Sequence, residues 1–124
     1  MDSFALGNTP EMADQLGQLV LQGIKTATTS LKAQYEKDGE PLPKVGDQSI
    51  ILDSKNRQLC QIEITDVTVM PFSQVDEDFA IAEGEGDLSL SYWREAHINF
   101  FSQYCDFHEE MEVVLEKFKV IKKF

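Results

Sequence analysis

The chain has 124 residues, 42% apolar and 27% charged, enough for one ordinary domain with a continuous core and too short for two full-sized ones. Twenty-two acids against 11 bases give a formal charge of -11. That excludes a protein that coats nucleic acid by bulk attraction, yet leaves room for a local nucleotide pocket.

No apolar run approaches the roughly 18 residues of a membrane span, and the opening MDSFALGNTPEM has neither a basic flank nor an apolar signal core, so no export signal is expected. A cytoplasmic protein without membrane contact is the expectation. Cys60 and Cys105 read as two buried thiols in a reducing compartment. With only His97 and His108 and no CxxC or HExxH, neither a metal site nor a cofactor is expected. There is no repeat, low-complexity tract or linker, so residues 1–124 read as a single domain.

In chain order, a helix is predicted from about Pro10 to Gln22. Thr9 suits its N-cap and Pro10 its first position. Met12, Leu16, Leu19 and Val20 recur at helical spacing, and Gly23 ends the helix. Thr26 to Tyr35 is ambiguous between a short helix and an irregular turn. Gly39 to Gly46 is a loop with two prolines.

A short strand, Ser49 to Leu52, precedes a turn at Asp53–Arg57. Cys60, Ile62 and Ile64 then alternate with polar residues as in a half-buried strand, and Asp66 to Met70 either continues it or starts another. Asp76 to Asp87 holds six acids and no base, and its centre, AEGEGD, reads as a loop. A second helix is predicted from about Leu88 to Cys105, capped by Asp87, with Leu90, Trp93, His97, Phe100, Phe101, Tyr104 and Cys105 on one side. Val113 to Ile121 closes the chain as a strand.

Three segments can carry chemistry. In Gly23-Ile24-Lys25-Thr26-Ala27-Thr28, a buried lysine would lose its charge and could take the proton of Thr28, making it a nucleophile. A lysine that stayed charged could hold a phosphate or carbonyl oxygen. The plainer alternative is a solvated lysine and a capping threonine. In Ala82-Glu83-Gly84-Glu85-Gly86-Asp87, two carboxylates around one glycine could act as acid and base or orient a lysine. Otherwise they are a solvated turn before a helix. In Ser91–His97, Trp93 and His97 lie on the apolar stripe and read as core, while Tyr92 and Arg94 are the candidates for exposed contacts to a base. The lysines from Lys117 to Lys123 read as edge protection.

Taken in order and spacing, LVLQGIKTATTS, GEPLPKVGDQSIILD, IEITDVTVMPFSQVDEDFA, AEGEGDLSLSYWREAH and FFS resemble the ASCH domain family from about residue 4 to 121. The resemblance implies an α+β, PUA-like fold: a small curved β-barrel with flanking helices. Such domains bind RNA or modified nucleotides. Some ASCH proteins are RNA-binding modules, some are ribonucleases, and a bacterial branch hydrolyses N(4)-acetylcytidine with a lysine, a threonine and a glutamate. Those residues match Lys25, Thr28 and Glu85 here, with Glu83 in reserve; Gly23, Glu83, Tyr92 and Arg94 would contact substrate. Many relatives have arginine where this chain has Ser30, and the short amidohydrolase branch lacks both the insert around Tyr35–Pro43 and the YWREAH helix in this form.

The leading expectation is therefore a hydrolase of a small acylated nucleoside. In it a neutral Lys25 activates Thr28, while Glu85 positions Lys25 and passes a proton to the leaving amine. The alternatives are a non-catalytic module for single-stranded RNA, with a basic rim of Lys25, Lys32, Lys44 and Arg94, and a metal-assisted ribonuclease using the acidic loop.

Overall fold

The computed structural model describes all residues, Met1–Phe124. The chain runs β1 (Asp2–Ala5), α1 (Pro10–Leu21), β2 (Ala27–Leu31), α2 (Lys32–Asp38), β3 (Gln48–Leu52), β4 (Gln58–Pro71), α3 (Glu77–Glu83), α4 (Leu90–Phe101) and β5 (Glu112–Lys123), with a 3-10 turn at Phe72–Gln74. The strands form one sheet in the order β1-β3-β4-β5-β2. β1 is parallel to β3 and every other pairing is antiparallel. The register of β4 on β5 shifts between Gln61 and Ile62 and again between Ile64 and Asp66. Extra residues of this kind raise local twist, and here the sheet curls into a half-barrel.

Local chemistry accounts for most boundaries. The Thr9 hydroxyl accepts from the Met12 N–H at 3.1 Å at the start of α1. The ambiguous stretch after Lys25 divides in two: its β-branched threonines join β2, paired with β5, and Lys32 to Asp38 forms α2. Asp66 to Met70 continues β4 rather than starting a new strand. β1 has no counterpart in the sequence reading, because its four residues are all exposed and carry no alternation.

The acidic stretch is corrected. Asp76 caps a helix by accepting from the Phe79 N–H at 3.0 Å, and Glu77 and Asp78 complement its positive end. Ala82 and Glu83 thus finish α3, and only the residues after Glu83 form the loop. α4 is shorter than predicted. Its cap is Ser89, whose hydroxyl accepts from the Tyr92 N–H at 3.0 Å, while Asp87 accepts from the Ser89 N–H. Tyr104 and Cys105 fall beyond its end and are exposed, so the expectation of two buried thiols holds for Cys60 alone.

Two apolar clusters hold the layers. Phe72, Phe79, Trp93 and Phe101 pack with Val113 and Leu115 between the sheet and α3–α4, and Val20 packs with Ile51, Cys60, Ile62 and Phe118 beneath α1. No helix is long and apolar enough to cross a membrane. Phe72 is wholly buried and its ring stacks on Trp93 at 5.0 Å. Phe72→Ala should lower the unfolding free energy by about 3–5 kcal/mol, read from urea denaturation.

Candidate active site

The chain leaves α1 through Gly23 (φ 77°) and enters β2 through Lys25 and Thr26. Thr26 fixes this segment to the end of α3, with its N–H donating to the Ala82 carbonyl at 2.7 Å. Lys25 is buried at 2% exposure. Its Nζ lies 2.7 Å from Glu83 Oε1 and 2.9 Å from Glu85 Oε2. The remaining N–H has only a long contact, 3.5 Å to the Glu83 carbonyl.

Gly84 is what lets two carboxylates so close in sequence meet one ammonium. Its φ of 73° is the left-handed turn that ends α3, and a Cβ there would stand 2.4 Å from the Ile24 carbonyl oxygen.

Glu83 is the acceptor around which the site is built. Its Oε2 accepts from Thr29 Oγ1 at 2.6 Å and from Trp93 Nε1 at 2.7 Å, and lies 3.1 Å from His97 Nε2. With Oε1 on Lys25, both oxygens are occupied. Burial pushes this carboxyl up, but the charge of Lys25 and the bond to His97 outweigh it and hold it well below the usual range. Burial likewise pulls Lys25 down, yet Glu83 and Glu85 leave its ammonium above its ordinary value. Lys25 is therefore a charged lysine, and the expectation of one made neutral by burial is corrected: the desolvation is real, but two carboxylates compensate it.

His97 completes the cluster. Its Nδ1 is 2.8 Å from the Trp93 carbonyl and its Nε2 faces Glu83, so both ring nitrogens meet acceptors. Only the imidazolium satisfies both. Burial opposes that charge, but Glu83 prevails and the ring titrates above its usual value. Two positive and two negative groups thus balance.

A cavity of about 100 Å3 opens on this cluster, lined by Lys25, Thr28, Thr29, Glu83, Glu85 and His97 among others. Lys25, Thr28, Glu83 and Glu85 are thus brought together. Glu85 keeps one carboxylate oxygen free of Lys25, and Thr28 reaches the cavity without bonding to the lysine. Gly23 and Arg94 do not line it. Gly23 serves the turn after α1, and Arg94 lies on another face of α4, where its Nη2 donates to the Ser73 carbonyl at 3.3 Å. Tyr92 lies on Gly86, where an added Cβ would meet its ring at 2.4 Å. It covers the glutamate loop without lining the cavity. Of the expected basic rim, only Lys25 lines this cavity, sealed in ion pairs; Lys32, which reaches Glu112 at 3.2 Å, Lys44 and Arg94 do not.

His97, Trp93 and Thr29 are absent from the sequence-based site. The signal for the first two was their spacing of one helical turn, which fits core packing equally well; Thr29 is one of three threonines in a row of four residues.

A family model, ASCH domain, matches residues 2–122. The fold is similar to the ASCH domain of Lactobacillus crispatus JV V101, with TM-score 0.94, 40% identity, and 98% of this chain and 79% of that chain covered. It is also similar to a protein of Enterococcus faecalis V583, with TM-score 0.91, 39% identity, and coverage of 99% and 77%. ASCH from Zymomonas mobilis, at 10% identity and TM-score 0.60 over 98% of this chain and 70% of that one, shares the fold. No curated protein matches the chain. The α+β, PUA-like expectation is met.

Two outcomes follow from the charge cluster. Glu83→Gln leaves Lys25 and His97 short of a buried counter-charge and should cost about 3–5 kcal/mol in urea denaturation at pH 7. His97 titrates above its unfolded value, so its contribution is full below that value, about 6.5, and is lost as pH rises through the folded one. The stability gap between wild type and His97→Gln should accordingly shrink as pH is raised above about 6.5.

Proposed function

This chain belongs to the ASCH domain family, and on that premise we propose that it hydrolyses the amide of an acylated nucleoside such as N(4)-acetylcytidine. The observation that carries this reading is the charged Lys25, buried between Glu83 and Glu85 at the wall of a cavity that Thr28 shares. A buried ion pair contributes little net stability compared with well-packed apolar residues. What it does provide is a fixed positive charge in a water-poor place, where an oxyanion is stabilised most.

The chemistry divides among the groups as follows. Glu85, through its free carboxylate oxygen, takes the proton of the Thr28 hydroxyl as the oxygen attacks the amide carbon. The Lys25 N–H that has only the 3.5 Å contact donates to the developing oxyanion. Collapse breaks the C–N bond, and Glu85 returns its proton to the leaving amine. Water, deprotonated by Glu85, then attacks the threonine ester and releases the carboxylic acid and free Thr28. Glu83, with both oxygens occupied, holds Lys25 and His97 in place and takes no proton.

A non-catalytic RNA-binding module is supported less well, because Lys25 is buried in ion pairs and Arg94 donates to the Ser73 carbonyl, so neither is free for a phosphate. The acidic-loop ribonuclease would need Glu83 and Glu85 as metal ligands, and both oxygens of Glu83 are already occupied, by Lys25 on one side and by Thr29, Trp93 and His97 on the other.

Purified protein incubated with N(4)-acetylcytidine should release cytidine, detected by chromatography. Thr28→Ala, Glu85→Gln and Lys25→Ala should each slow release at least about a hundredfold. Thr28→Ala disturbs no ion pair and separates lost chemistry from lost folding. Release unchanged in Thr28→Ala would overturn the nucleophile, and no release by the wild type would overturn the substrate.

A further inference from the structure

A second, larger space lies inside the half-barrel. All five strands line it, the loop from Glu40 to Lys44 walls one side, and its volume is about 810 Å3. That is the size of a small-molecule pocket, in the barrel mouth where such pockets occur. Leu6 and Thr28 line both this trough and the Lys25 cavity. The Thr28 side chain therefore stands where the two spaces meet.

Directly across from Thr28 in the β2–β5 register is Glu116. Facing side chains of an antiparallel pair have Cβ atoms about 4.5–5.5 Å apart, so this carboxyl is a near neighbour of the Thr28 hydroxyl. Glu116 is mostly buried, lines the trough, and has no hydrogen bond or ion pair within the protein. Its carboxyl oxygens are free of protein partners and face the trough, where they can bond to what enters it. The floor around it, Ile51, Ile62, Ile64 and Phe118, suits the flat face of a base.

We propose that the trough holds the nucleoside base and that Glu116 reads its amidine edge, the exocyclic N–H together with the adjacent ring nitrogen. This deepens the reading of the Lys25 site and rests on it for the position of the acyl group. The carboxylic acid complements that edge: its O–H donates to the ring nitrogen while its C=O accepts from the exocyclic N–H. Burial and the charge of Asp47 push this carboxyl up to about 7, so the acid form is available near neutrality. The other ionisable groups lining the trough are Asp47 beside β3, Tyr35 of α2, Glu40 and Lys44 of the adjoining loop, and Asp2 with the Met1 amine at β1. The substrate class is then an acyl group on the exocyclic amine of a heterocycle, rather than any aryl amide.

The product side tests this without catalysis. Cytidine and 3-deazacytidine, in which C–H replaces the ring nitrogen, are titrated calorimetrically into the wild type, Glu116→Gln and Glu116→Leu at pH 6 and 8.5. The wild type should bind cytidine about tenfold tighter than 3-deazacytidine at pH 6 and lose most of that preference at pH 8.5. Glu116→Gln, whose amide offers the same donor and acceptor, should keep the preference at both pH values. Glu116→Leu should lose it at both. Equal binding of the two nucleosides by the wild type, no binding of either, or an undiminished preference in Glu116→Leu would each overturn the proposal. Discrimination in a protein that releases no cytidine from N(4)-acetylcytidine would uphold the base pocket while removing the hydrolase reading. Release without discrimination would do the reverse.

Discussion

The organisation of this domain depends on one buried carboxylate. Glu83 is 1% exposed and gathers a lysine, a threonine, a tryptophan and a histidine from two separate parts of the chain. A carboxylate so deep is tolerable only when its charge is matched and its lone pairs are filled. Meeting that condition fixes the end of α3 against the entry to β2 and draws α4 over both. The site and the packing of the helical layer are thus one constraint.

The same constraint explains why Lys25 is charged. Burial alone would discharge a lysine, and a neutral amine would be a base. Two carboxylates at hydrogen-bonding distance reverse this, and the lysine becomes a source of positive field instead. The division of labour then follows from which oxygen is free. Glu83 has none to offer, whereas Glu85, at the open side of Gly84, keeps one. His97 adds a second positive charge behind Glu83, so the cluster is neutral as a whole while presenting separated charges to the cavity.

β2 joins the two cavities. In a strand, successive side chains point to opposite faces. Thr29 turns toward Glu83, while Thr28 and Ser30 line the trough of the half-barrel. One short strand thereby serves both the charge cluster and the larger pocket, with Thr28 at their junction. Ser30 adds no charge to a trough whose only lysine is Lys44.

Much was legible in the sequence because it was local. The cap of α1, the alternation of β4, the proline loop and the GIKTAT and AEGEGD segments are each defined by neighbours along the chain. The family resemblance rests on those same runs. Short or exposed elements escaped: β1 is four exposed residues, and α3 was hidden because acids at a helix start look like acids in a loop. The sequence by itself determined an α+β domain with a lysine, a threonine and two glutamates that could meet. Only the tertiary structure decided that they do meet, that Glu83 rather than Glu85 is the buried acceptor, that His97 belongs with them and that Arg94 does not. The physical reason is that burial and charge pairing act through space, between residues as far apart in the chain as Lys25 and His97, and no spacing along the chain encodes that distance.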